Sequence, residues 1–261
     1  MAKESQKGEE SVPRLTTHCL SHYHGYDQLT HSSITIAQFN LADSGLPGWM
    51  LKEIYHLKRL QSPYVPQLLD IVLSPPRLYF IQTAHQGSLH ELITHRPQLL
   101  TPIYIRKLAY SVLQALAYIH ESGVVHLGLN PHCILIGEQG QVMVEGYSRA
   151  RMKGEEGEGL GDGYSAPELE EGQGGEMADV WAVGCVLMEM AAGRVLMSEE
   201  TREKLYKTAQ SPSPTPLLSL QLLLPSASPL LHSLILRMLQ WTPSSRLRLS
   251  SALNDPYFQE L

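Results

Sequence analysis

The stretch from Val124 to Leu135 reads VVHLGLNPHCIL and lies near the middle of the chain. In front of it, Thr101–Glu121 carries apolar residues on one broad helical face. Behind it, two strand-like runs, Cys133–Ile136 and Gln141–Glu145, flank a turn at Gly137–Gly140. The sequence therefore predicts a long helix, an irregular segment and a hairpin in succession.

Upstream of this stretch, the pattern is that of strands around one helix. Ile34–Phe39 alternates as a half-buried strand does, and Leu68–Leu73 and Leu78–Ile81 are further apolar runs. Between them, Met50–Leu60 repeats apolar residues at helical spacing. Residues 1–13 are polar and charged with almost nothing to bury, which predicts a flexible tail.

Downstream of the stretch, helices dominate. Ala178–Ala192 is apolar nearly all round, which predicts a buried helix, and further helices are expected at Pro229–Trp241 and Ser250–Asn254. Strands with one helix, followed by mostly helices, predict an α+β fold in two lobes.

The bulk composition is that of an ordinary globular protein. Of the 261 residues, 43% are hydrophobic and 18% are charged. The net charge of −6 gives no electrostatic reason to expect a nucleic acid partner. The leucine-rich stretch Pro216–Leu239 is broken by prolines and polar residues, so no membrane span is predicted. A polar start and three widely spaced cysteines favour a cytoplasmic protein.

Several local sequences resemble the motifs of the protein-kinase family, in the family's order. They are KEIYHLK (Lys52–Lys58) with SPYVPQLLD (Ser62–Asp70), the catalytic-loop stretch Val124–Leu135, YSAPE (Tyr164–Glu168), DVWAVG (Asp179–Gly184), and SSR (Ser244–Arg246) with DPYF (Asp255–Phe258). The resemblance implies a two-lobed protein-kinase-like fold. It implies a small β-rich N-lobe with one helix at residues 14–84 and a larger helical C-lobe at residues 85–261.

Phosphoryl transfer in this family depends on a lysine, bound metal ions and an aspartate base. The resemblance assigns these roles to positions that have lost the usual group: Ala37 for the strand lysine, Gly128 for the aspartate, Asn130 for the catalytic-loop lysine, and Cys133 and Gly146 for the metal ligands. The phosphate loop is expected near Arg14–Cys19, which has no glycine, and no lysine lies between Lys7 and Lys52 to act as a substitute.

Other positions keep residues that support the family's scaffold. The resemblance implies a bracing stack of Leu57, Leu68, His126 and Tyr147, a buried salt bridge between Glu168 and Arg246, and an Asp179 that holds the catalytic-loop backbone. Glu53 matches the partner of the missing lysine, and we expect it to be a solvated helix residue. Leu127 replaces the arginine that receives an activation-loop phosphate, which predicts no switching by loop phosphorylation.

These replacements predict a catalytically inactive protein-kinase-like domain, a pseudokinase, that acts as a scaffold or an allosteric protein-binding module. Its protein partners are unidentified, and it is compatible with being one domain of a larger protein. One alternative is an atypical kinase or nucleotidyl transferase that uses Glu145 or another acid. Another is metal-free nucleotide binding in a cleft narrowed by Thr35 and by Ile81 as the gatekeeper residue.

Three other features of the sequence are candidate binding sites. Candidate zinc ligands are His18, Cys19, His22, His24 and His31, but their spacing fits no four-ligand pattern, so packing or surface roles are expected and no cofactor or metal is predicted. The acidic loop Gly154–Asp162 is expected to be solvated, and the alternative is a docking site for a basic partner. Ser211–Leu224 is a candidate docking surface or an ordinary part of the core.

Overall fold

A computed structural model describes residues 21–41, 45–155, 163–210 and 220–259. The predicted tail at 1–13, the Arg14–Cys19 segment, and most of Gly154–Asp162 and of Ser211–Leu224 lie outside these ranges. Within them, none of the helices combines the length and the apolar character that crossing a bilayer requires.

The N-terminal lobe is an antiparallel sheet with one helix packed beside it. In the described residues the strand order is β1-β2-β4-β3, and the elements are β1 (Ser21–Asp27), β2 (Ser32–Asn40), α1 (Gly48–Arg59), β3 (Leu68–Ser74) and β4 (Arg77–Thr83). Ala37 of β2 lies opposite His22 of β1 and Phe80 of β4. Ala37 and Phe80 are both buried, so this face of the sheet is turned inward.

The C-terminal lobe is mainly helical. Its helices in the described residues are α2 (Leu89–His95), α3 (Pro102–Glu121), α4 (Glu176–Ala192), α5 (Glu199–Gln210), α6 (Pro229–Met238) and α7 (Leu249–Leu253). Its short strands are β5 (His85–Ser88), β6 (Val124–Val125), β7 (Ile134–Gly137), β8 (Val142–Val144) and β9 (Arg151–Met152), arranged as a β5-β7-β8 sheet and a β6-β9 pair. Short 3₁₀ helices occur at Pro97–Leu99, Tyr147–Arg149, Pro167–Glu171, Pro243–Ser245 and Pro256–Phe258.

The two-lobed α+β architecture predicted from the sequence is confirmed. The side chain of Thr101 accepts a hydrogen bond from Tyr104 N, so it caps α3 one residue before the helix begins. Two helices escaped the prediction: α2 has only seven residues, and α5 is largely polar. The Ser88–Glu91 capping box at the start of α2 was the sequence signal that could have revealed it.

Candidate functional site: the cleft between the lobes

The catalytic-loop stretch is held by a buried carboxylate at the first turn of α4. Asp179 accepts hydrogen bonds from His126 N at 2.9 Å and Leu127 N at 2.8 Å, and its Oδ2 lies 2.8 Å from His120 Nε2. Leu127 adopts a left-handed backbone with φ of 57°, which is costly for a leucine. Burial raises the pKa of Asp179, but the bond and charge of His120 and the backbone amides outweigh burial and lower it. The carboxylate thus fixes the shape of this loop.

The residues that replace the usual catalytic groups bond to one another within the loop. Asn130 donates from Nδ2 to Gly128 O at 3.0 Å and accepts from His132 N at 2.9 Å. The Cys133 thiol lies 3.6 Å from the same Gly128 oxygen. At Gly146, whose φ is 86°, an added Cβ would lie only 2.6 Å from Cys133 Sγ. Cys133 therefore occupies the space that a side chain at position 146 would need.

This packing decides whether the usual pair of metal ions fits. Magnesium prefers hard oxygen ligands, whereas the two expected ligand positions hold a thiol and a glycine. Among the described residues, no group of three or more His, Cys, Asp or Glu side chains is placed to hold a metal ion. The cleft residues therefore do not fit the family's two metal ions.

Glu53 is buried, with 8% of its surface exposed, so the expectation of a solvated side chain is wrong. Its Oε1 accepts from Gly146 N at 3.0 Å, and the backbone amides of Tyr147 and Ser148 also bond to this carboxyl. Burial raises the pKa of Glu53 to about 7, while these three amides act in the opposite direction. Without a lysine, the carboxyl joins α1 to the turn that follows β8.

Glu145 also faces the interior of the cleft. Burial raises its pKa to about 8, with a further contribution from the Glu53 charge, and a hydrogen bond from the Gln82 side chain acts in the opposite direction. Along β4 the buried residues are Leu78, Phe80 and Gln82, whereas Ile81 is only partly buried on the other face. The expectation that Ile81 is the gatekeeper is therefore wrong, because Gln82 lies at the rear of the cleft.

Three histidines lie together under the sheet. The ring of His85 is 5.4 Å from that of His22 and 6.1 Å from that of His24, in both cases edge to face. His22 Nε2 lies 4.0 Å from Glu145 Oε1. Burial lowers the pKa of His22, and burial with the neighbouring imidazoles lowers that of His85 to about 4. Of the zinc candidates, His18 and Cys19 lie outside the described residues.

Of the four residues matched to the bracing stack, Leu57, His126 and Tyr147 are fully buried. The ring of Tyr147 lies 5.1 Å from that of His126. Leu68 is only partly buried and packs against the core from the edge strand β3. His126 Nε2 lies 2.9 Å from Glu145 O, which joins the catalytic loop to the strand that ends at Glu145.

Away from the cleft, Glu168 and Arg246 form a buried ion pair. The two guanidinium nitrogens of Arg246 donate to the two carboxylate oxygens of Glu168 at 2.6 and 3.0 Å. Arg246 also donates to backbone oxygens of Met177, Gln240 and Trp241. This bidentate pair joins the Pro167–Glu171 turn to the segment that follows α6.

The arrangement of motifs and lobes agrees with comparison to known proteins. The sequence profile of the protein kinase domain matches residues 28–258. The chain belongs to the protein kinase family. One solved structure with a similar fold is that of the MAP kinase LmaMPK10 from Leishmania major, with a TM-score of 0.71 and 21% sequence identity. The match covers 94% of this chain and 83% of the matched chain. At that identity it shows the kinase fold alone.

Curated relatives include named kinases. The serine/threonine-protein kinase ICK of Rattus norvegicus is 30% identical over 238 residues, 80% of this chain and 38% of the relative. The mitogen-activated protein kinase HOG1B of Wallemia ichthyophaga is 28% identical over 262 aligned positions, 88% of this chain and 71% of the relative. The chain thus spans well under half of the rat kinase and about seven tenths of the fungal one.

These findings correct the predicted function. Membership of the protein kinase family and relatives that are named as kinases point to an enzyme, and they contradict the prediction of an inactive scaffold. The neutral residues at Ala37, Gly128, Asn130, Cys133 and Gly146 remain facts of the sequence. Phosphoryl transfer by this chain would have to proceed without the lysines, the aspartate base and the metal ligands expected at these positions.

Three cleft residues were missed by sequence reasoning: His22 as a neighbour of Glu145, and Gln82 and His85 as buried polar groups. For His22 the available signal was strand alternation, which would have placed it on the inward face once the β1–β2 register was known. For Gln82 the alternation of buried residues along β4 carried the same information. For His85 no sequence signal existed, because its burial depends on the packing of β1 against the cleft.

Proposed function

We propose that this chain is an atypical protein kinase that binds a nucleoside triphosphate between its lobes without metal ions and phosphorylates serine or threonine slowly. The observation that carries the proposal is the position of His22, opposite Ala37 in the sheet and with Nε2 4.0 Å from Glu145 Oε1. His22 would supply, from the neighbouring strand, the cation that position 37 lacks. The named kinases among the relatives support the choice of reaction and acceptor.

The protonation states of His22 and Glu145 determine how these two side chains bind a phosphate group. Because burial lowers the pKa of His22 and raises that of Glu145 to about 8, their contact at neutral pH joins a neutral imidazole and a protonated carboxyl. An anionic triphosphate favours the imidazolium, so His22 takes up a proton from solvent on binding. Glu145 keeps its proton and can donate a hydrogen bond. Two proton-bearing groups thus face the phosphates, and affinity is expected to rise as pH falls.

The phosphoryl transfer step itself requires few further protein groups. The hydroxyl oxygen of the acceptor bonds to the γ-phosphorus while the bond from that phosphorus to the β,γ-bridging oxygen breaks, and the nucleoside diphosphate leaves. No Asp or Glu lies between Ser122 and Gly137, so the hydroxyl proton passes to solvent or to a phosphate oxygen. Lack of a positioned base lowers a rate by roughly 10²–10⁴-fold, which is why we propose slow turnover.

The test is transfer of radiolabel from γ-labelled ATP to a generic protein substrate and to the chain itself, with and without EDTA. We expect slow incorporation that survives EDTA and falls at least about tenfold in His22→Ala and in Glu145→Ala, since each loses a phosphate-facing group. His95→Ala is the matched control, because His95 is exposed on α2. Incorporation no greater than that of heat-denatured protein, or incorporation equal in all variants, would refute the proposal.

A further inference from the structure

The side chain of Arg149 covers the position at which the aspartate base is missing. At Gly128, an added Cβ would lie 3.2 Å from Arg149 Cδ, 3.6 Å from its Cβ and 3.7 Å from its Cγ. The methylene groups of Arg149 therefore run along the backbone of Gly128. Because the guanidinium is bonded directly to that Cδ, its positive charge lies beside the place that an aspartate at position 128 would occupy.

The surrounding contacts place this arginine in the cleft between the lobes. Gly128 O lies 3.6 Å from Cys133 Sγ, which in turn lies against Gly146. Burial lowers the pKa of His126, and the positive charge of Arg149 acts in the same direction. Arg149 thus lies beside the catalytic loop and close to the two positions that were assigned to the metal ligands.

Arg149 differs from its neighbours in the Tyr147–Arg149 turn by its exposure. It is only partly buried, whereas Tyr147 and Ala150 are buried. Long cationic side chains of this kind lay their methylene groups on the protein and keep the charged end accessible. The segment from Ser122 to Gly137 contains no Asp or Glu, so the catalytic loop adds no negative charge beside this cation.

A cation at this place suits the charge that develops during phosphoryl transfer. In the transition state, negative charge spreads over the three equatorial oxygens of the transferring phosphoryl group. The cleft residues do not fit the two metal ions that usually neutralise this charge. A guanidinium presents a planar array of N–H donors that matches two phosphate oxygens at once. Since it stays charged in proteins, it cannot act as the missing base.

We propose that Arg149 is a catalytic residue that binds the γ-phosphoryl group of the nucleotide and stabilises its charge during transfer. The inference rests on the proposed function in one respect, that the γ-phosphoryl group is bound at the catalytic loop. The acceptor oxygen bonds to the γ-phosphorus while the bond from that phosphorus to the β,γ-bridging oxygen breaks. Arg149 forms no covalent bond, and it neither gains nor loses a proton.

The first test compares ATP with ADP, which lacks the γ-phosphoryl group. Isothermal titration uses the full chain near neutral pH, in EDTA. We expect wild type to bind ATP at least about tenfold more tightly than ADP, because charge-assisted bidentate hydrogen bonds are strong. Arg149→Gln has a side chain of similar shape without the charge, so it should bind ATP only about as tightly as ADP. Its affinity for ADP should change by less than about twofold.

The second test is transfer of radiolabel from γ-labelled ATP at saturating concentration, again in EDTA. Arg149→Gln should transfer at least about tenfold more slowly than wild type, since it loses a group that acts on the developing charge. Arg149→Lys should lie between the two, because an ammonium keeps the charge but not the planar pair of donors. Arg194→Gln is the matched control: it makes the same chemical change at an exposed site, and both readouts should stay unchanged.

Thermal unfolding shows whether each variant folds. Arg149→Met keeps methylene contacts with Gly128 and carries both tests if Arg149→Gln does not fold. Equal affinity of wild type for ATP and ADP, or an ATP preference that persists in the uncharged variant, would overturn the inference. Faster transfer in the uncharged variant would also overturn it, because the side chain would then obstruct the acceptor.

The outcomes separate this inference from the proposed function. An ATP preference that depends on Arg149, without phosphoryl transfer by wild type, would refute the proposed function alone. Transfer at equal rates in wild type and Arg149→Gln would refute the inference alone. No saturable binding of either nucleotide would refute both.

Discussion

Two buried glutamates in this protein illustrate opposite solutions to the same problem. Glu168 in the helical lobe meets the guanidinium of Arg246 through two hydrogen bonds of 2.6 and 3.0 Å. Glu145 in the cleft has only the neutral side chain of Gln82 and, at 4.0 Å, His22. The first carboxylate is charged and paired, whereas burial raises the pKa of the second to about 8 and keeps it protonated.

The difference shows where each kind of acid is useful. A charged, fully bonded pair fixes the position of two segments and has no remaining capacity for a ligand. A protonated acid with a weakly held neighbour can change its bonding when an anion arrives. The Glu168–Arg246 pair therefore joins two segments of the helical lobe, whereas the proposed function places the groups that bind the nucleotide in the cleft.

The largest expected effect comes from breaking the paired glutamate. Arg246→Ala leaves Glu168 buried without its cation and removes four hydrogen bonds to three backbone oxygens, so the free energy of unfolding should fall by about 3–5 kcal/mol. Denaturant unfolding monitored by circular dichroism measures this change. A loss below about 1 kcal/mol would show that the pair does not fix the helical lobe.

The next effect concerns the carboxylate that holds the catalytic loop. Asp179→Asn keeps one oxygen acceptor for the amides of His126 and Leu127 but loses the charge beside His120. We expect a loss of about 2–3 kcal/mol, since hydrogen bonds to charged groups are the stronger kind. The same unfolding assay applies. Asp70→Asn on the exposed edge strand is the control and should leave the unfolding free energy unchanged.

A smaller effect, with a distinct pH dependence, is expected from the unpaired glutamate. In the unfolded chain Glu145 ionises near its ordinary pKa of 4.5, but in the folded chain it keeps its proton up to about 8. The folded state therefore loses stability as pH rises through this window, by about 1.4 kcal/mol per pH unit for one group. Glu145→Gln should reduce this slope between about pH 6.5 and 8.

The measurement is the denaturation free energy at several pH values in this window, which lies above the lowered pKa of His22 and of His85. Glu53, with a pKa of about 7, contributes to the slope of wild type and variant alike. Glu138→Gln, on the exposed turn between β7 and β8, is the matched control and should keep the wild-type slope. A slope that is the same in Glu145→Gln and wild type would mean that Glu145 is ionised in the folded protein.

The smallest effect is expected for Glu200, a glutamate that is paired but exposed. Lys204 donates to Glu200 at 2.7 Å on the surface of α5, where solvent screens the attraction. Lys204→Ala should leave the unfolding midpoint within experimental scatter. A clear loss of stability would show that an ion pair stabilises the protein as much when exposed as when buried. Burial would then not explain the difference between Glu168 and Glu145.

Much of the fold was accessible from local patterns. The helical periodicity of Thr101–Glu121 and the alternation of Ile34–Phe39 predicted α3 and β2 to within two residues of their observed ends. The helix α2 was missed because its seven residues are too few to show a helical repeat of apolar positions. The family motifs predicted the protein kinase fold correctly because their order and identity are properties of the sequence alone.

The properties of the cleft were harder to predict from the sequence, since they depend on the burial of side chains and on strand register. From the sequence, Glu53 was an exposed helix residue and Ile81 the gatekeeper. Packing of α1 against the Tyr147–Arg149 turn buried Glu53, and the β2–β4 pairing turned Gln82 inward. Neither outcome is encoded in a window of neighbouring residues.

By itself, the sequence determined the kinase architecture and predicted the loss of the usual lysine, aspartate and metal ligands, because both are questions of which residue stands at which motif position. Only the tertiary structure decided which groups fill the cleft in their place. His22, Gln82, His85 and Glu145 come from separate strands and loop segments. The protonation of His22, His85 and Glu145 follows from how far the fold removes each of them from water.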